Sequence, residues 1–267
     1  MKIKEILGAL EEYAPLALQD GYDNAGLQIG LAEDAEITGA LLCLEVTEDI
    51  VNEAMLRGCN LILSHHPLLF RPVKNITDSD LIGRVIFKAI KNNIAIYSAH
   101  TNLDVVYGGV NFKIAEKLGL KNIEFLSPKD NYVSGGKSFT AGEGIIATLP
   151  TSMSNHEFMD HVKEVFRLRS LRVNNADKNE INRVAIVGGS GAFLIPTAVE
   201  KGVDAFITGE IGYHRFFGHE QEILLMEIGH YESEQYTIDL LREIVTRFAP
   251  SLYVCKAETN TNPINYL

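Results

Sequence analysis

The sequence predicts an α/β protein made of two similar lobes, each a mostly parallel sheet with helices on both faces. Three observations predict it: apolar strand-length runs alternate with amphipathic helical segments, the two halves match at fixed offsets, and the 267-residue length holds two ordinary cores.

The elements follow in order. "MKIKEILGALEEYAP" is an amphipathic helix, and "YDNAGLQIG" is a polar, Gly-rich segment. "ITGALLCLEV" is an apolar strand. "TEDIVNEAMLRG" has a Thr cap, acids in its first turn and a closing Gly, as a helix requires. "CNLILS", "DLIGRVIFKAIKNN" and "IAIYSAH" continue as strand, helix and strand, the rhythm of a parallel sheet. "SPKDNYVSGGKSF" reads as a turn-rich linker, and "EGIIATLP" with "HEFMDHVKEVFRL" as a strand and a helix. "EINRVAIVGGSGAFLIPTAVEKGVDAFITGE" restarts the strand–helix–strand pattern, which "EILLMEIGH" and "SEQYTIDLLREIVTRFAP" close with a strand and a long helix. The boundary is expected within residues 127 to 137, giving lobes 1–130 and 131–267.

The halves match in register over "AMLRGCNLILSHH" and "AVEKGVDAFITGE". Ala54, Gly58 and Ser64 correspond to Ala198, Gly202 and Thr208. A strand ending in a histidine follows each, "IYSAHTNLD" in the first half and "EIGHYESE" in the second. Open α/β sheets build their sites at such strand ends.

Composition narrows the function. Hydrophobic content of 46% and charged content of 22% are those of a globular protein. A net charge of -11 makes a nucleic-acid partner unlikely, because backbone binding wants a basic face. It leaves room for a small anionic substrate, since a bound metal reverses the local potential. No apolar run reaches the roughly 18 residues of a membrane span, and two glutamates stand where a leader would be apolar. Cys43, Cys59 and Cys255 form neither a disulfide framework nor a zinc-finger spacing, so a reducing, cytoplasmic setting is expected.

The informative residues are histidines. "LILSHHPLLF" places His65 and His66 directly after a strand. Pro67 restrains His66 to extended geometry, so the two rings are expected to point to opposite sides. One could be a satisfied core residue and the other exposed. Partners stand at other strand ends: His100 and Asp104 are four apart, as are His230 and Glu234, and that spacing puts each pair on one helical face. Imidazole and carboxylate together suit Zn, Fe, Mn or Co, whereas Ca and Mg favour oxygen alone. Five such donors exceed one tetrahedral site, and a bridging carboxylate would share them between two ions about 3.5–4 Å apart.

Other positions carry weaker signals. Tyr22, Asp23 and Asn24 either close a pocket or cap a turn. Glu210 and His214, again four apart, are either a pocket acid with a general acid/base or a solvated helix start. His156 and His161 read as surface residues. "GGSGAF" between a strand and a helix could cradle an anion, although it lacks the GxGxxG order and the Walker lysine.

"YDNAGLQIG", "SHHPLLF", "SAHTNLD", "DAFITGE" and "GHYESE" resemble the NIF3-like family, also called the GTP cyclohydrolase I type 2 family, over nearly the whole chain. The chain is similar to the short form, without the domain that some relatives insert between the halves. The resemblance implies two α/β lobes facing a dinuclear metal cleft, in a homo-oligomer that is a toroidal hexamer. It implies metal ligands His65, His66, Asp104, His230 and Glu234, with Asp104 as the bridge, and two divalent ions per chain, whether Zn, Fe or Mn. His100 is then a cleft residue beside the metals, and Glu210 and His214 match a pocket segment. Tyr22 stands where relatives often carry Trp. The implied activity is metal-dependent hydrolysis of a nucleotide or phosphate-containing small molecule, with GTP cyclohydrolase as one candidate. The alternative is a non-enzymatic metal-binding scaffold or regulatory protein.

Overall fold

The computed structural model describes residues 1–129 and 132–267. Residues 130 and 131, where the lobe boundary was expected, lie outside the described residues. The chain forms two compact units, residues 1–103 with 237–263, and residues 104–236 with 264–267.

In the first unit, α1 (Ile3–Tyr13) leads to β1 (Gly26–Ile29), β2 (Gly39–Cys43), α2 (Glu48–Leu56), β3 (Leu61–Ser64), α3 (Leu81–Lys91) and β4 (Ala95–Ser98). The short helix α4 (Thr101–Val105) contains the division between the units. β2, β3 and β4 are parallel neighbours, because α2 and α3 supply the crossovers that parallel pairing requires; β1 adds antiparallel to β4. Every residue of β2, β3 and β4 is buried, so these strands read as continuous apolar runs without alternation. Leu41, Ile50, Ile62, Val85 and Ile96 centre the core.

Helix ends are set by side chains. Thr47 Oγ1 accepts from Ile50 N at 3.3 Å, and Asp80 Oδ1 accepts from Gly83 N at 2.7 Å. Replacing Asp80 with alanine is expected to lower stability by ~1 kcal/mol, read as a smaller free energy of urea unfolding with an unchanged m-value.

The second unit begins with the end of α4 and continues through α5 (Val110–Lys117), β5 (Lys121–Pro128), β6 (Tyr132–Ser134), β7 (Lys137–Phe139), β8 (Gly142–Ser154), α6 (Asn155–Phe166), β9 (Arg172–Val173), β10 (Glu180–Val187), α7 (Ile195–Glu200), β11 (Ala205–Thr208), β12 (Leu224–Glu227) and α8 (His230–Glu234). Its sheet runs β5-β8-β10-β11-β12-β9. Only β10, β11 and β12 are mutually parallel, while β5, β8 and β9 pair antiparallel. The sheet is therefore mixed, where a mostly parallel one was expected. The segment expected as a linker is a hairpin: β6 and β7 pair antiparallel around Gly135 and Gly136, both at positive φ. Two such residues make the tight turn whose twist matches antiparallel strands.

The chain then returns to the first unit. α9 (Thr237–Phe248) packs on α1, and β13 (Tyr253–Lys256) pairs parallel with β2. The compact units thus divide at Leu103/Asp104 and again before Thr237, because β13 hydrogen-bonds into the first sheet.

The internal match is visible in the fold. α2–β3 and α7–β11 are both helix–Gly–strand units, with Gly58 at φ 68° and Gly202 at φ 63°. Ser64 and Thr208 end β3 and β11 as fully buried hydroxyls.

Candidate metal centre

β3 stops at Ser64, so His65 and His66 occupy a bend and do not follow strand alternation. Backbone bonds from His65 N to Cys43 O and from His66 N to Leu44 O hold this bend beside the end of β2. The hydroxyls of Ser64 and Ser98 both donate to the His66 carbonyl, at 2.9 and 3.2 Å. The two rings consequently lie on the same side, with centroids 4.8 Å apart, and the expectation that they diverge is corrected. His100, just before α4, completes a triad with centroids 5.3 Å from each of the other two.

Each ring is tethered through Nδ1. That of His65, fully buried, donates to the Ala99 carbonyl at 2.8 Å. His66 Nδ1 meets Glu45 Oε1 at 2.5 Å, and His100 Nδ1 meets Asp23 Oδ1 at 2.7 Å. An N–H on Nδ1 puts the lone pair on Nε2, and such outer partners fix ring orientation at metal sites. Ligand atoms from the three rings lie within 4.8 Å of one another. The donor chemistry and its support fit a transition-metal cation.

Asp23 carries more than one contact. Its Oδ2 accepts from Thr101 N at 3.1 Å and from the Thr101 hydroxyl at 2.5 Å. Burial pushes its carboxyl up, but the hydrogen bonds from His100 and Thr101 outweigh that and hold its pKa at about 2. It is therefore ionised opposite the His100 ring. Glu45→Gln is expected to weaken metal binding ~10–100-fold, read by competition with a chromogenic chelator, because the amide no longer balances His66 with a charge.

In the second unit, His230 opens α8 and Glu234 follows one turn later, buried. His230 Nε2 and Glu234 Oε2 are 3.2 Å apart, the spacing of two atoms that bond one tetrahedral cation at about 2.0–2.1 Å. His230 Nδ1 meets Glu210 Oε1 at 2.8 Å, and Ser190 Oγ donates to Glu210 Oε2 at 2.5 Å. The Ser190 bond, followed by that of His230, keeps the Glu210 carboxyl below its ordinary range against the opposing effect of burial. Glu210 is thus positioned to orient His230.

Three amides of the "GGSGAF" loop are engaged within the protein. Gly188 N donates to Asn111 Oδ1, Gly189 N to Ser233 Oγ and Gly191 N to Thr208 Oγ1. Gly189 makes room, since a Cβ there would lie 2.3 Å from Glu234 Oε1; so does Gly209 just after β11, where a Cβ would lie 2.9 Å from the His230 Cα. The loop is a seat for α8.

Asp104 stands half-buried in α4, its backbone carbonyl accepting from Asn111 Nδ2 at 3.1 Å. His214 lies exposed on a 3-10 turn, its ring 5.1 Å from that of Tyr213. His156 is exposed on α6, while the His161 ring bonds the Leu118 carbonyl.

The model of the Duf34/NIF3 (NGG1p interacting factor 3) family matches residues 1–263. The chain belongs to the DUF34/NIF3 family. Among curated relatives, it is 40% identical over 238 residues to a "GTP cyclohydrolase 1 type 2 homolog" of Clostridium perfringens, covering 88% of this chain and 87% of the relative. It is 34% identical to the Lactococcus lactis protein of the same name, over 98% of each chain. Among solved structures, a Staphylococcus aureus protein superposes at TM-score 0.89 with 30% identity, over 100% of this chain and 99% of the other. No helix among the described residues of this DUF34/NIF3 chain is long and apolar enough to cross a membrane.

Glu45 and Ser190 escaped sequence reading. Glu45 had a usable signal, since it follows β2 as the histidine pair follows β3. Ser190 had none, because its partner Glu210 lies 20 residues away.

Proposed function

We propose that this DUF34/NIF3 protein binds two divalent cations (Zn, Fe or Mn) through His65, His66, Asp104, His230 and Glu234, and hydrolyses a nucleotide or another phosphate-containing small molecule. The observation that supports the reading best is the convergence of His65 and His66, each tethered at Nδ1 so that Nε2 is left as the metal donor, with His100 beside them. When bound, two such cations acidify a water and polarise the bond under attack.

The chain's own groups do the remaining work. Glu210 holds the His230 ring through Nδ1, and Ser190 holds Glu210. Asp23 anchors His100, so His100 can pass a proton at Nε2 to a leaving group. His214, exposed on its 3-10 turn, is the second candidate for that proton transfer. GTP cyclohydrolase, the activity in the relatives' names, is one candidate within this class.

The test is turnover by the metal-reconstituted protein on GTP, nucleoside monophosphates and phosphodiesters, with Glu234→Ala as control. Metal-dependent turnover of one class, reduced to background in the control, is expected; formate released from GTP identifies the cyclohydrolase. A fully metal-loaded protein that turns over none of them overturns the hydrolase reading in favour of a metal-binding scaffold or regulator.

A further inference from the structure

The first unit contains a cleft of about 310 Å³, within the size range of small-ligand sites, and the histidine triad stands at its side. One wall comes from Tyr22, Asp23 and Asn24, the other from Leu69, Phe70, Arg71, Pro72 and Val73. The walls are fastened to each other by side-chain amides. Asn24 Nδ2 donates to the Leu69 carbonyl at 2.8 Å, and Gln28 Oε1 accepts from Leu69 N at 3.0 Å. Gln28 Nε2 reaches back to the Asn24 carbonyl at 2.6 Å. The cleft is therefore a fixed feature of the unit.

Its surface has a distinct chemistry. Tyr22 is 68% exposed and Phe70 41%, large apolar area left to water at a chain segment otherwise held in place. Their rings meet edge-on, with centroids 6.3 Å apart and planes at 73°. A third flat ring can stack on one face and meet the edge of the other, the two favourable aromatic arrangements. Arg71, exposed on the same wall, is a local cation on a chain of net charge -11. The Asp23 carboxylate beside it is turned inward, with His100, Thr101 and the Asn24 amide on its oxygens. The cleft also adjoins the chemistry, since the Phe70 ring is 6.0 Å from the His100 ring.

We infer that this cleft is a nucleotide subsite: Tyr22 and Phe70 hold the nucleobase and Arg71 holds the phosphate, presenting the ligand to the histidine triad. The inference rests on the hydrolase reading for what happens next and names the substrate class that reading requires. Ring recognition by aromatic faces is tolerant of base identity, and Arg pairs with phosphate in a fork of two hydrogen bonds.

Binding, not turnover, tests it. Isothermal titration of the metal-loaded full chain with GMP, guanosine and ribose 5-phosphate separates ring from phosphate. GMP is expected to bind most tightly and ribose 5-phosphate at least ~10-fold more weakly. Phe70→Leu and Tyr22→Leu, which keep apolar bulk but lose the ring, should weaken GMP roughly 10- to 100-fold, while Tyr22→Phe leaves it unchanged. Arg71→Gln should weaken GMP and spare guanosine. Metal content and circular dichroism of the same samples control for folding. Equal affinity for GMP and ribose 5-phosphate, or GMP affinity untouched by Phe70→Leu, overturns the subsite whatever the turnover screen gives. A change of oligomeric state in Phe70→Leu, seen by light scattering, would assign the face to a second copy and overturn it too. Ring-dependent GMP binding without turnover on any substrate would retire the hydrolase and leave the subsite standing.

Discussion

Gly189→Ala is expected to strip the second donor pair of its geometry and to destabilise the protein. Gly189 sits at φ +64°, where a side chain costs about 1–3 kcal/mol in backbone strain. Its added Cβ would also fall 2.3 Å from Glu234 Oε1, so the carboxylate that faces His230 must move. A matched control separates the two effects. Gly202 has nearly the same φ, +63°, with open space where its Cβ would be. Gly202→Ala should therefore incur only the strain and retain its metal. Gly189→Ala should show a larger drop in unfolding midpoint together with reduced metal content. Equal behaviour of the two variants would mean that the glycine loop does not set Glu234.

His65→Ala should have the second large effect, and on two counts. The ring is fully buried, and its removal leaves the Ala99 carbonyl without the Nδ1 donor, at a cost of about 1–3 kcal/mol. It also removes one of the proposed metal donors. A cation at a hundred times its dissociation constant stabilises the folded chain by about 2.7 kcal/mol. Chelator should accordingly lower the unfolding midpoint of the wild-type protein by several degrees. The same treatment should shift His65→Ala, already lower, by clearly less. A variant that still responds to chelator like the wild type would remove His65 from the donor set.

What could be read in the sequence was whatever obeys a local period. That His230 and Glu234 share a face could be read because an i,i+4 spacing holds on any helix, and α8 provides one turn of it. The parallel strands β2, β3 and β4 were found because burial on both faces makes them uninterrupted apolar runs. The orientation of His65 and His66 was not, because it depends on β3 ending one residue before the pair. β13 was missed because a four-residue strand at the chain's far end pairs with β2 across more than 200 positions. The tether Asp23 reaches His100 over 77 residues, and no spacing rule spans such a distance, whereas the place of Glu45 just after β2 was a signal left unread. The "GGSGAF" segment showed in its composition only that it could cradle an anion. Its Gly189 instead accommodates Glu234, which only the third dimension reveals.

The central claim is that His65, His66 and the His230–Glu234 pair are metal donors. Metal stoichiometry by inductively coupled plasma mass spectrometry tests it most directly, on the wild-type protein and on His66→Ala and Glu234→Ala, each reconstituted with excess Zn, Fe or Mn and then desalted. The wild-type chain is expected to retain two ions, with either substitution releasing at least one. Full and unchanged metal content in both variants would contradict the account.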